Sequence, residues 1–185
     1  MEYIHRQIED VVCKAAQSFK AVLITGARQT GKSTLLQELF PERKQFSFDD
    51  LFLEEQAKEN PEMFMMLHEP PIVLNEVQRV PDLFRYLKLH CDGSEAKGQF
   101  LLSGSQPFSL MRLASESLAG RVAVLELSTL SLRELTGDSF SAPFVPGLAY
   151  LRERQKTVVK PKNIWEYIHC GGYPGVQDAT VDWQM

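Results

Sequence analysis

No apolar run in this 185-residue chain approaches the roughly 20 residues needed to cross a bilayer. The opening stretch, MEYIHRQIEDVV, lacks the charged-then-apolar order of a secretory leader, so no membrane partner is expected. Cysteine is scarce. Cys13, Cys91 and Cys170 are three in number, far apart and without CxxC spacing, which fits a reducing cytoplasm better than a disulfide framework. The pairs His90-Cys91 and His169-Cys170 lack zinc-ligand spacing and read as core or surface residues. Charge of one sign is also missing: the net charge of −4 gives no overall basic field for nucleic acid, leaving only local patches. No internal repeat is visible. What is present, 44% hydrophobic and 24% charged residues, suits an ordinary globular protein. The length allows one domain with a real core and the start of a second.

Apolar periodicity organises the first two thirds. Ile4, Ile8, Val11, Val12, Ala15, Ala16 and Phe19 recur at helical spacing and predict an opening amphipathic helix. AVLIT, Ala21 to Thr25, is a short continuous apolar run before a glycine, as in a strand buried on both faces. Leu35, Leu36, Leu39 and Phe40 mark a helix stopped by Pro41. QFSF (Gln45 to Phe48), IVLN (Ile72 to Asn75), QFLLS (Gln99 to Ser103) and RVAVLEL (Arg121 to Leu127) read as further strands. Asn60-Pro61 reads as an N-cap and first helical residue, and a helix from Pro81 carries Leu83, Phe84, Leu87 and Cys91 inward. Strands alternating with helices predict an α/β fold, a mainly parallel sheet covered on both faces. A core over residues 1–135 is therefore expected, then a loop or linker over 136–160, where glycine, serine and proline gather. From 161 to 185 a partial, helical C-terminal segment is expected. Arg152, Arg154, Lys156, Lys160 and Lys162 read as a solvated face or, less commonly, as contacts to a phosphate backbone.

After the first strand comes GARQTGKS, which matches G-x-x-x-x-G-K-[ST]. Such a loop wraps its backbone N–H groups around phosphate oxygens, and glycine permits the dihedrals and the close approach. Gly26, Ala27, Arg28, Gln29, Thr30, Gly31, Lys32, Ser33 and Thr34 are the expected nucleotide-binding residues. Lys32 reaches the β- and γ-phosphates, Ser33 offers a hydroxyl to Mg²⁺, and the following helix points its positive end at the anion. An apolar strand before the motif and an apolar-faced helix after it give the context the motif requires.

PIVLNEVQ, Pro71 to Gln78, holds the second station. In an ATPase an aspartate at the end of a central strand holds magnesium, usually through water, and the next glutamate orients the attacking water. Here the pair is Asn75-Glu76. Glu76 is the expected catalytic carboxylate; a surface loop acid is the plainer alternative. LLSGSQ supplies Ser103 as a γ-phosphate sensor, with Ser105 and Gln106 as alternates and a simple strand-end turn as the competing reading. SLAGR supplies Arg121, a charge stabiliser acting on its own chain's site or a neighbour's, or else a structural ion pair. Arg28 could act similarly.

GARQTGKS, FSFDDL, NEVQ, LLSGSQ, SLAGRV and LSLREL occur in this order, and together they resemble the AAA-type ATPases of bacteria and archaea whose P-loop reads GxRQxGK[ST]. The resemblance implies a three-layer P-loop NTPase with strand order 5-1-4-3-2, ATP with Mg²⁺, a cytoplasmic location and often a homo-oligomer. NIWEYIHCGGYPG resembles the start of the C-terminal domain that usually follows, so the chain is expected to be an N-terminal piece. Lys32, Ser33, Glu76, Ser103 and Arg121 match the family's identities. Asn75 does not, because the family's strand end commonly reads DEIQ or DEVQ. Asparagine is nearly isosteric, and its carbonyl can still accept a bond from a metal-bound water, but one negative charge is gone. At ~4–5 Å and an effective dielectric near 20 that charge is worth roughly 3–4 kcal/mol. The expectation is an ATP-binding module of weak ATPase activity, with Ser33 and Asn75 nearest the metal. Alternatives are a non-hydrolysing ATP-gated switch and, less fitting because 136–148 has no arginine for a lid, a P-loop small-molecule kinase. A protein or nucleic-acid partner cannot be read from these residues.

Overall fold

The computed structural model describes residues 3–138, 140, 142–159 and 164–177. They form two compact units, one from Ile8 to Ser128 and one joining the segment up to Gln7 with the residues from Thr129 onward.

The first unit contains helices α1 (Glu9–Ser18), α2 (Lys32–Leu39), α3 (Leu51–Glu59), α4 (Pro61–Leu67), α5 (Leu83–Gly93) and α6 (Pro107–Ser117). Its strands are β1 (Ala21–Thr25), β2 (Lys44–Ser47), β3 (Ile72–Asn75), β4 (Phe100–Gly104) and β5 (Val122–Glu126). The five strands are parallel and lie in the order β2-β3-β4-β1-β5, which is the expected 5-1-4-3-2 read from the other edge. Every residue of β1, β3 and β4 is buried, as their unbroken apolar sequences require of strands covered on both faces. Side chains alternate between the faces. Ala21, Leu23, Ile72, Leu74, Phe100 and Leu102 join the core under α3 to α6. Val22, Ile24, Val73 and Leu101 turn to the other face, where α1 meets β1 and α2 meets β4.

Helix starts follow local chemistry. Asn60 caps α4 by accepting from the Met63 N–H at 2.9 Å, with Pro61 first in the helix. Asp50 caps α3 in the same way, accepting from the Phe52 N–H at 2.9 Å. Some boundaries differ from expectation. The opening helix starts at Glu9 rather than at Ile4, since the segment up to Gln7 belongs to the second unit. α5 starts at Leu83, two residues after the proline, which sits in a turn.

The second unit carries α7 (Leu132–Thr136), α8 (Leu148–Thr157) and α9 (Ile164–Cys170). The stretch expected to be loop or linker, 136–160, therefore holds a helix of ten residues. Its Arg154 pairs with Asp138 at 2.5 Å and lies 5.0 Å from the Phe140 ring centre, so this arginine is committed internally rather than free for a phosphate backbone. Lys160 and Lys162 lie outside the described residues. α7 opens with a capping box: Ser131 Oγ accepts from the Glu134 N–H at 3.2 Å, and Glu134 Oε2 accepts from the Ser131 N–H at 2.7 Å. Glu134 Oε1 takes the Gln7 N–H at 2.9 Å and Arg6 Nε at 3.1 Å, with both charged side chains under a tenth exposed.

Burial pushes the Glu134 carboxyl up, but the Ser131 and Gln7 N–H groups, the Ser131 hydroxyl and Arg6 outweigh it and hold the carboxyl below its usual range. A carboxylate depressed in the folded state stabilises above its unfolded pKa and loses that stabilisation as pH falls through the folded value. Thermal melts taken from pH about 6 down to about 3 are expected to decline more steeply for the native chain than for Glu134→Gln. Parallel declines would remove Glu134 from the pH response.

Candidate phosphate-binding site

In a parallel open sheet, ligands bind beyond the carboxyl ends of the strands, where the connections diverge. Here β1 and β4 lie side by side in register from Ala21 opposite Phe100 to Thr25 opposite Gly104, and β3 lies on the far side of β4. The loop after β1 and the ends of β3 and β4 therefore emerge together.

The loop from Gly26 to Gly31 is a backbone cradle that few other residues could form. Gly26 has φ +143°, and a Cβ there would stand 2.2 Å from the Leu127 carbonyl oxygen. Gln29 (φ 61°) and Gly31 (φ 91°) are also left-handed, and Gly31 is the N-cap of α2. The Thr30 hydroxyl donates to the Ala27 carbonyl at 3.0 Å and holds the turn. Ala27, Arg28, Gln29, Ser33 and Thr34 are exposed, so the rim of the cradle and the first turn of α2 are open to a ligand.

Lys32 is buried, only 5% exposed, and its ammonium donates to the carbonyls of Gly26 at 3.1 Å and Ala27 at 2.6 Å. Burial lowers its pKa, and the Glu76 carboxylate partly opposes this. A buried ammonium bonded to the neutral carbonyls of a glycine-bounded loop, one residue after the N-cap of a helix, is chemistry suited to a polyanion. The donor set fits a triphosphate.

At the ends of β3 and β4 two polar ties stand in sequence. The buried Ser103 hydroxyl donates to Asn75 Oδ1 at 2.7 Å. One residue further, Glu76 Oε2 accepts from Ser105 Oγ at 3.0 Å and from Gln78 Nε2 at 2.5 Å. Glu76 has left-handed backbone (φ 55°, ψ 42°) and caps a short 3-10 turn, Val77–Arg79. Glu76 also lines an open pocket of about 300 Å³ with Arg28, Gln29, Asp49 and Arg79. Arg79 bridges Asp49 at 2.9 Å and Glu54 at 3.4 Å.

Lys32, Asn75, Glu76, Ser103 and Ser105 thus gather at one end of the sheet, and Arg28 shares the pocket. Gln106 is exposed at the start of α6 and makes no hydrogen bond to Asn75 or Glu76. Arg121 is not brought in. It precedes β5, whose Val122 lies level with Ala21 at the start of β1, whereas the cradle leaves β1 after Thr25. Five residues at ~3.3 Å each place it roughly 16 Å away, at the opposite end of the strands. There it pairs with Asp92 and donates to the Ala119 carbonyl at 2.8 Å. Within its own chain Arg121 is a structural ion pair. Sequence reasoning assigned no role to Gln78, Asp49 or Arg79. Their signal was position, after the strand-end glutamate and at the end of the neighbouring strand. Among the described residues no cluster of three or more His, Cys, Asp or Glu side chains could hold a metal by itself.

The model of a family described as an AAA domain matches residues 18–136, most of the chain and the whole of this site. The chain belongs to the AAA domain family. The uncharacterized proteins Rv2008c of Mycobacterium tuberculosis and Mb2031c of Mycobacterium bovis are each 37% identical to this AAA domain protein over 131 residues. That alignment covers 66% of this chain but 28% of either relative, so the chain spans under a third of their length. The Walker-type ATPase paby2304 of Pyrococcus abyssi is similar in fold, with TM-score 0.58, 15% identity, and 94% of this chain and 65% of that one covered. AMPPCP-bound DnaA from Aquifex aeolicus is similar to the same degree, with TM-score 0.58, 17% identity, and coverage of 96% and 61%. The fold is that of AAA-type P-loop ATPases. No helix among the described residues is long and apolar enough to cross a membrane.

Proposed function

We propose that this AAA domain binds ATP with Mg²⁺ in the Gly26–Thr34 cradle and hydrolyses it slowly. The observation that carries the reading is the convergence of the buried Lys32 ammonium, the Glu76 carboxylate and the Asn75–Ser103 pair beyond the ends of β1, β3 and β4. Lys32 would exchange its carbonyl partners for phosphate oxygens. Glu76 would accept a hydrogen bond from the attacking water, and Ser103 would hold the side chain at 75 in place. Mg²⁺, when bound, neutralises the developing phosphate charge. Ser33 and, through water, the Asn75 carbonyl would be its nearest protein oxygens; such few ligands suit a cation that keeps several waters. Arg121 could serve only a neighbour's nucleotide in a homo-oligomer. The three free cysteines are in keeping with a cytoplasmic location.

Asn75 also favours a second reading, an ATP-gated switch that orders its loops without turnover. Both readings require binding. At a hundredfold excess over Kd, ATP with Mg²⁺ is expected to stabilise the chain by about 2.7 kcal/mol, a rise in melting temperature of about 5–10 °C. ATP with EDTA should give a smaller rise. No rise under either condition would reject both readings, and phosphate release in multiple turnover separates them.

A further inference from the structure

We infer that Gln78 is a positioning residue for hydrolysis, holding Glu76 so that one carboxylate oxygen is anchored and the other is left for water; this rests on the ATPase reading above. Glu76 follows β3 with a left-handed backbone, uncommon for a residue other than glycine, and its carboxylate is held from outside by neighbouring side chains. Two groups hold it. Gln78 Nε2 donates to Oε2 at 2.5 Å, and Ser105 Oγ donates to the same oxygen at 3.0 Å. Gln78 Nε2 also reaches Ser105 Oγ at 3.4 Å and closes a triangle that ties the end of β3 to the end of β4. The amide orientation is fixed chemically, because its oxygen would repel the carboxylate. Glu76 Oε1 has no hydrogen bond among the described residues and belongs to a side chain lining the pocket beside Arg28.

The fit of Gln78 favours this role over mere filling. Its side chain lies against Gly104, where a Cβ would come within 2.2 Å of Gln78 Oε1. That Oε1 is buried and has no hydrogen-bond partner among the described residues. A methionine would fill the same space without an orphaned carbonyl, so packing alone gives no reason for an amide. What the amide adds is the donor aimed at Glu76. A base displaced by as little as 1 Å can lose about a hundredfold in rate.

The test uses the full 185-residue chain carrying Asn75→Asp, in which turnover is expected to be readily measured. Gln78→Met keeps length and removes the donor. It is expected to lower kcat by about tenfold to a hundredfold while ATP affinity and KM hold. Gln78→Glu should be as slow at neutral pH but regain rate as pH falls, because a carboxyl sharing a proton with Glu76 donates the bond again. Gln78→Met should show no such recovery. The inference is overturned if Gln78→Met keeps its kcat while Glu76→Gln abolishes turnover. A fall in kcat accompanied by equal loss of ATP affinity or by collapse of the melting temperature also overturns it, since that is a structural role. Absence of turnover in Asn75→Asp, or full turnover in Glu76→Gln, rejects the ATPase reading itself and is recognised without any Gln78 variant.

Discussion

Lys32→Ala is expected to weaken ATP binding by about a hundredfold or more. A buried ammonium against a phosphate oxygen at ~4 Å, with an effective dielectric near 20, contributes about 4 kcal/mol, and 1.4 kcal/mol is a factor of ten. The desolvation that usually offsets such a pair is already incurred in the unliganded protein, where Lys32 is 5% exposed and holds only the Gly26 and Ala27 carbonyls. The same fact predicts how the variant behaves without nucleotide. The folded-state pKa of Lys32 is lowered, chiefly by burial, so the unfolded chain binds its proton more readily. At neutral pH the charged group therefore detracts from stability, and stability rises as pH climbs through the lowered value. Lys32→Ala should melt no earlier than the native chain in the absence of ATP, yet lose the ATP-dependent rise. Equilibrium binding of a fluorescent ATP analogue, with melts alongside, checks both halves. Equal affinity in the two proteins would remove Lys32 from the phosphate site and with it the cradle assignment.

How much of this was legible in the sequence follows from how strongly each segment is buried. AVLIT and IVLN sit in the middle of a sheet covered on both faces, so their runs have no polar interruptions and their ends fall where expected. The cradle was legible because its function dictates backbone geometry: Gly26 and Gly31 occupy conformations that write glycine into the motif. α3 and α6 escaped notice for the opposite reason. Leu51 and Phe52 are 75% and 72% exposed and Phe108 is 92% exposed, so apolar residues stand on the outer side of both helices and blur the periodicity. α8 buries no residue at all, and a helix without an inward stripe resembles a charged loop. Arg121 was ambiguous because a motif gives order along the chain, not which end of a strand a residue occupies. Register with β1 resolves that. The Gln78–Glu76–Ser105 tie joins residues 27 and 29 positions apart in sequence, and no local pattern marks it.

Asn75→Asp is expected to raise Mg²⁺-dependent phosphate release by about tenfold to a hundredfold. The missing charge is worth roughly 3–4 kcal/mol at ~4–5 Å before desolvation, and each ~1.4 kcal/mol retained in the transition state is a factor of ten. Geometry gives the substitution a direction. Ser103 already donates to Asn75 Oδ1, so one acceptor site on that carbonyl is all the side chain has left for a metal-bound water. The amide's other end is an N–H donor that cannot accept from a metal-bound water, whose hydrogens point outward, so the single carbonyl oxygen must serve both Ser103 and that water. An aspartate keeps the serine on one oxygen and offers the second as an acceptor. It should also carry a mark in stability. Position 75 is 5% exposed, so an added carboxylate without a cation is a buried charge that lowers the melting temperature. ATP with Mg²⁺ should then raise the melting temperature of Asn75→Asp by more than that of the native chain, while ATP with EDTA should not. A variant with unchanged turnover and an unchanged response to Mg²⁺ would mean that charge at this strand end does not limit catalysis. The switch reading is favoured only if phosphate release is absent from both proteins while ATP still raises their melting temperatures.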